Sequence, residues 1–116
     1  MAWTVLEHPD FVREREDLND EVSDKLDEVM LALEEVGPNL GRPLVDTLNG
    51  SKHKKMKEIR FNASGVWRFA FAFDEDRQAV VLCGGNKEGK AQRKFYKKLI
   101  ATADERFDEW LEAEKE

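Results

Sequence analysis

The residues best equipped for chemistry lie in one stretch, SKHKKMKEIRFNASGVWRFAFAF, from Ser51 to Phe73. It opens on Lys52, His53, Lys54, Lys55 and Lys57, then sets Arg60 and Arg68 into two alternating runs. A second cationic group, Lys87, Lys90, Arg93, Lys94, Lys97 and Lys98, emerges from GGNKEGKAQRKFYKK with Phe95 and Tyr96 among it. Arg60 and Arg68 fall on either side of a turn near Ser64–Gly65. On antiparallel strands they face each other directly or diagonally, and like charges so placed call for an anion between them, either Glu58 or a bound phosphate. Cations interleaved with aromatic rings suit single-stranded RNA, where rings stack on bases and lysines follow phosphates. RNA carries its own nucleophile: the 2′-hydroxyl attacks the adjacent phosphate once a general base takes its proton and cations hold the developing charge. Lys55 or Lys57 is a candidate base, because crowding by other cations disfavours the ammonium form, and His53 competes for the role. The plainer readings are a solvated lysine run and an internal Glu58–Arg68 pair.

Other chemistries find little in the sequence. His8 and His53 lie in separate segments, no His/Cys cluster has metal-ligand spacing, and Cys83 reads as a buried strand residue, so neither metal nor cofactor is expected. One cysteine allows no internal disulfide. The glycines of CGGNKEGK let the backbone turn tightly, but the spacing is not that of a phosphate-binding P-loop. No apolar run approaches the ~18 residues of a membrane helix, and a cytosolic protein is expected.

The charge is segregated along the chain. Residues 1–40 hold 3 basic and 12 acidic residues (net −9), residues 41–98 hold 14 and 6 (net +8), and residues 99–116 hold 2 and 7 (net −5), which sum to −6. This is the pattern of a cationic working surface on an acidic frame.

The elements that must position these residues follow from periodicity. AWTVLEH alternates as a short strand, and Pro9 stops it and suits the first turn of a helix. Two helical segments follow. The second places Val22, Leu26, Val29, Met30 and Leu33 at helical spacing and ends at VGPN. LGRPLVDTLNGSKHKK reads as a long connector. Three strands come next: MKEIRFN, VWRFAFAF and QAVVLCG, joined by short turns into an antiparallel meander. In the second, Trp67, Phe69, Phe71 and Phe73 share one face, and Val66, Arg68, Ala70 and Ala72 the other. A final helix carries Phe95, Leu99, Ala103, Phe107 and Trp110 as an inner stripe. The expectation is one α+β domain over residues 1–116, in the order β-α-α-β-β-β-α. All helices lie on the aromatic side of a small antiparallel sheet, and the alanine face, floored by Arg60 and Arg68, stays open as a shallow binding surface.

The segments AWTVLEHPDF, LGRPLVDTLNGSKHKKMKEIRF, GVWRFAFAFD and VVLCGGNKEGK…FYKKLIATADERFDEWL resemble, in that order, the HigB branch of the RelE/ParE superfamily of toxin–antitoxin toxins. The resemblance covers nearly the whole chain. It implies a small antiparallel sheet with two N-terminal helices and a C-terminal helix. It also implies a ribosome-dependent mRNA endonuclease held in check by a helix-turn-helix antitoxin, its partners therefore being antitoxin, ribosome and mRNA. The catalytic set it implies is Lys55, Lys57, Arg60, Arg68 and Tyr96. RNA would be held by His53, Lys54, Lys87, Lys90, Arg93 and Lys97. A toxin of the same fold that acts by binding a protein, as the gyrase-directed branch does, or a degenerate antitoxin-binding module, is the alternative.

Overall fold

The computed structural model describes residues 2–115. Strand β1 (Thr4–Glu7) leads into helix α1 (Pro9–Glu14), with Pro9 in its first turn and His8 as N-cap, its ring accepting a hydrogen bond from the Asp10 N–H. Helix α2 (Asp20–Val36) is capped by the Asn19 side chain, which accepts from Val22 N, and ends at Gly37. Strands β2 (Val45–Thr47), β3 (Met56–Asn62), β4 (Val66–Phe73) and β5 (Gln78–Asn86) precede the long helix α3 (Gln92–Glu114).

The five strands form one sheet in the order β1-β5-β4-β3-β2. The meander expected from the sequence is present, with β3, β4 and β5 antiparallel in turn. Two features were not expected. The presumed connector contains β2, which pairs antiparallel with β3 and makes one edge. The first strand pairs parallel with β5 and makes the other.

The aromatic face packs as alternation dictates. Phe69, Phe71 and Phe73 of β4, with Ile59 and Phe61 of β3, bury against Phe11 of α1 and Val22, Leu26, Val29 and Leu33 of α2. The other face corrects the expectation of an open surface. Helix α3 lies across it, and Leu99, Ala103 and Phe107 pack on Met56, Ala70, Ala72, Val80 and Leu82. The alanines are seats for a helix, since small side chains let a helix approach a sheet closely. The helices therefore sandwich the sheet, α1 and α2 on one side and α3 on the other. A register shift between β4 and β5 beside Ala70 and Phe71 leaves both Leu82 and Cys83 buried under α3. What remains of the open face is its far end, beside the β3–β4 turn, where Arg60 and Arg68 stand.

Candidate functional site

The register of β3 and β4 sets Arg60 directly opposite Arg68, and Glu58 opposite Ala70. All three side chains rise on the α3 side, where α3 brings Tyr96 over them. Glu58 is the hub and is only 5% exposed. The Tyr96 hydroxyl donates to Glu58 Oε1 at 2.8 Å and accepts from Arg68 Nε at 3.2 Å. Arg68 Nε lies 3.8 Å from the same carboxylate oxygen, and its Nη1 donates to the Trp67 carbonyl at 2.8 Å. Arg60 Nη1 donates to Glu58 Oε2 at 3.3 Å and lies 3.9 Å from Asp46 Oδ2 on β2. The anion that two facing arginines require is thus Glu58. The pairing is unequal: the Arg68 side chain is 8% exposed, whereas that of Arg60 is 24% exposed and can reach a ligand.

Lys87 completes the group from the loop after β5. Its backbone N–H donates to Val66 O at 2.8 Å, and Asn86 Oδ1 accepts from Val66 N and Glu88 N, tying this loop to the start of β4. Gly65 makes the tie possible: it has φ +137°, and a Cβ there would meet the Asn86 side chain at 2.6 Å. Lys87 Nζ then stands 5.6 Å from the centre of the Tyr96 ring and donates to Gln92 Oε1 at 3.2 Å.

The electrostatics divide the two titratable donors. Burial raises the Tyr96 pKa, and the hydrogen bond to Glu58 raises it further, so the phenol keeps its proton and can give it to a better acceptor. Lys87 is pushed the other way, by burial first and then by the charges of Arg68 and Arg60, so its neutral amine is more accessible than that of an ordinary lysine. A proton donor, a group that can take a proton and two guanidinium groups therefore meet at one end of the sheet. These are the parts that general acid–base transfer at a phosphate needs.

The other residues singled out from sequence are spread around the molecule. His53 lies at the opposite end of β3, its Nε2 2.9 Å from Asp108 Oδ1 and its ring edge-on to Phe107. Lys54 and Lys55 are exposed there, lining a hollow with Asp74 and Glu114. From Met56 to Arg60 is four strand residues, or ~13 Å. Lys57 alternates with Ile59 and Phe61 and so rises on the opposite face from Glu58 and Arg60. Arg93 and Lys97 are exposed on α3 on either side of Tyr96 in sequence. Lys90 sits 5.9 Å from the Phe95 ring centre, and with Lys94 and Lys98 it lines a groove of about 810 Å³ between α3 and the end of β5. The single cationic surface expected from sequence is thus several, and only Arg60, Arg68, Lys87 and Tyr96 converge. Glu58 was read in the sequence only as a charge partner, yet it organises the site; the alternation of KEIR, which sets Glu58 and Arg60 on one face, was its signal. Asp46 on β2 gave no such signal, because β2 was hidden in the connector.

Comparison with known proteins places the chain in context. Residues 13–108 match the family described as Phage derived protein Gp49-like (DUF891). A Mycobacterium tuberculosis protein named "Putative toxin HigB2" is 52% identical over 81 residues, 68% of this chain and 40% of that protein. A second from the same organism, "Putative toxin HigB3", is 46% identical over 82 residues, 71% of this chain and 70% of that protein. The match thus spans well under half the length of the first relative. Among solved structures, a mutant of the E. coli toxin RelE in the free state superimposes with a TM-score of 0.64 at 17% identity, covering 87% of this chain and 96% of that one, which makes the fold RelE-like.

Proposed function

The chain belongs to the Gp49-like family, and on that premise we propose that it is the toxin of a type II toxin–antitoxin module, cutting messenger RNA on the ribosome. Relatives named as toxins and a RelE-like fold support the first part. The observation that carries the second is the convergence of Arg60, Arg68, Lys87 and Tyr96 on Glu58 at the open end of the sheet. In this reading Lys87 takes the 2′-hydroxyl proton, and the 2′-oxygen attacks the adjacent phosphorus. The bond to the 5′-oxygen of the next nucleotide then breaks, leaving a 2′,3′-cyclic phosphate. Tyr96 protonates that departing oxygen, and Arg60 holds the negative charge that develops on the phosphate. Arg68, too buried to reach far, positions Tyr96 through its Nε. Lys90, Arg93 and Lys97 flank this end and suit the phosphates of neighbouring nucleotides. Lys54, Lys55 and His53, at the other end of the sheet, suit contacts outside the cut site, as does Lys57 on the other face.

One observation favours the second reading, a toxin of this fold that binds a protein: Glu58 already neutralises the nearly buried Arg68, as a purely structural ion pair would. Inducible expression of Arg60→Ala and Tyr96→Phe beside the parent chain separates the two. The nuclease reading predicts growth arrest and cut transcripts from the parent only, with antitoxin binding retained in both variants. Arrest by the parent without cut transcripts, or undiminished cutting by both variants, would overturn it.

A further inference from the structure

The turn between β4 and β5, DEDR, reads in the sequence only as a short turn. In the structure it faces the last turn of α3 across a hollow of about 490 Å³, at the end of the sheet away from Tyr96. Asp74 starts the turn and is 5% exposed. Its Oδ1 accepts from the backbone N–H groups of Asp76 at 2.9 Å and Gln78 at 3.1 Å, which accounts for one carboxylate oxygen. Its Oδ2 is buried and has no hydrogen-bond partner. Asp74 also forms a group with Asp76 and Glu114, one carboxylate oxygen of each lying within 4.8 Å of the others. Three like charges this close repel, and a buried carboxylate oxygen without a donor carries its full desolvation cost.

Among the described residues, the neighbouring cations leave this group uncompensated. Lys115, next to Glu114, pairs with Glu112, and His53 pairs with Asp108. Lys54 and Lys55 stand across the hollow with their side chains in solvent. The Gln78 amide donates to Glu114 Oε2 at 3.2 Å, a neutral donor to one of the three carboxylates. We propose that Asp74, Asp76 and Glu114 form a binding site for a hard divalent cation, Ca²⁺ or Mg²⁺, that fastens the C-terminal turn of α3 to the β4–β5 turn. The donor set is all oxygen and triply negative, which suits these ions and not the nitrogen- and sulfur-seeking metals. Two of the three carboxylates are exposed, so water completes the coordination, and the dissociation constant falls at about 10⁻⁴–10⁻³ M, as for weak oxygen-donor sites.

Thermal unfolding of the full chain in chelator, and in CaCl₂ or MgCl₂ at matched ionic strength, tests the site. The unfolding midpoint of the parent should rise saturably, by about 5–10 °C at about 10 mM cation. In the Asp76→Asn/Glu114→Gln variant it should not respond, and in chelator the variant should melt above the parent because the repulsion is gone. Should the double variant fold poorly, Asp76→Asn alone, in the exposed turn, serves the same purpose. Direct binding is read by Tb³⁺ luminescence excited through Trp110, one helical turn before Glu114; it should be displaced by Ca²⁺ and lost in the variant. No saturable shift, an equal shift in the variant, or Tb³⁺ luminescence that survives both substitutions would each overturn the proposal.

Discussion

Glu58→Ala should be the most destabilising single substitution at the Tyr96 site, and the reason is the company Glu58 keeps. Its carboxylate accepts from Tyr96 and Arg60 and lies against Arg68, while its side chain is 6% exposed. Truncation leaves Arg60 and Arg68 facing each other across β3 and β4 with no anion between them. Removing one partner of a buried ion pair costs ~3–5 kcal/mol. The lower end applies here, because Arg60 can turn to solvent or to Asp46 and Arg68 keeps the Trp67 carbonyl. With an unfolding entropy of roughly 2.1 cal/mol/K per residue, each kcal/mol moves the midpoint of a chain this long by about 4 °C, so a loss of about 3 kcal/mol lowers it by about 12 °C. Glu58→Gln keeps the shape and an acceptor for Tyr96, and should lose less than half as much. The decisive assay is denaturation followed by circular dichroism, repeated with inorganic phosphate. Phosphate should restore part of the lost stability in Glu58→Ala and stabilise it more than the parent, since only the variant offers two guanidinium groups with no carboxylate between them. A Glu58→Ala loss below about 1 kcal/mol, or phosphate stabilising both proteins equally, would refute the reasoning.

Four further outcomes are expected. Cleavage by the parent should rise with pH as Lys87 loses its proton, and in Arg60→Met, which removes one of the charges that lower the Lys87 pKa, the Lys87 amine followed by NMR should titrate at higher pH; a parent pH–rate profile with no such rise would remove Lys87 as the base. Cys83, 4% exposed and with its thiol pushed up to about 12 by burial, should resist a thiol reagent at pH 8 until the chain unfolds. Because an unfolded thiol ionises near its ordinary pKa, the stability tied to Cys83 should be complete below about pH 9 and decline as pH climbs towards about 12; Cys83→Ala should flatten that decline in pH-dependent denaturation. Gly84→Ala should cost ~1–3 kcal/mol in urea denaturation, because a Cβ there would lie 2.1 Å from Phe69 Cδ1 in the packed core.

The alternation in VWRFAFAF and MKEIRFN gave both the strand pairing and the facing arginines, because a period of two on a half-buried strand leaves little freedom of register. The stripe Leu99, Ala103, Phe107 likewise announced a buried helix face. What the pattern could not say was which side of the sheet would receive it. Ala70 and Ala72 look the same whether they line a groove or seat a helix, and only the length of α3 and its path after β5 decide. β2 is three residues long, too short for alternation to register, and β1 joins β5 across most of the chain, a contact no local pattern announces. The lysines misled for a related reason. Lys54, Lys55, Lys57 and Arg60 form one cationic block in sequence, but an extended strand separates its ends by several ångströms per pair of residues and alternates their faces.

In the proposed reaction Tyr96, Lys87 and Arg60 act together on RNA, and Tyr96→Phe tests that most directly because it removes one oxygen and leaves the ring packed against Phe95. Parent and variant would be added to a purified translation reaction on a defined mRNA, with and without ribosomes, and the cuts mapped by primer extension. The parent should give codon-phased cuts only with ribosomes present, and Tyr96→Phe should give them about 10²-fold or more slowly, the contribution of a lost general acid. Absence of cuts from the parent, or equal cutting by the variant, would contradict it.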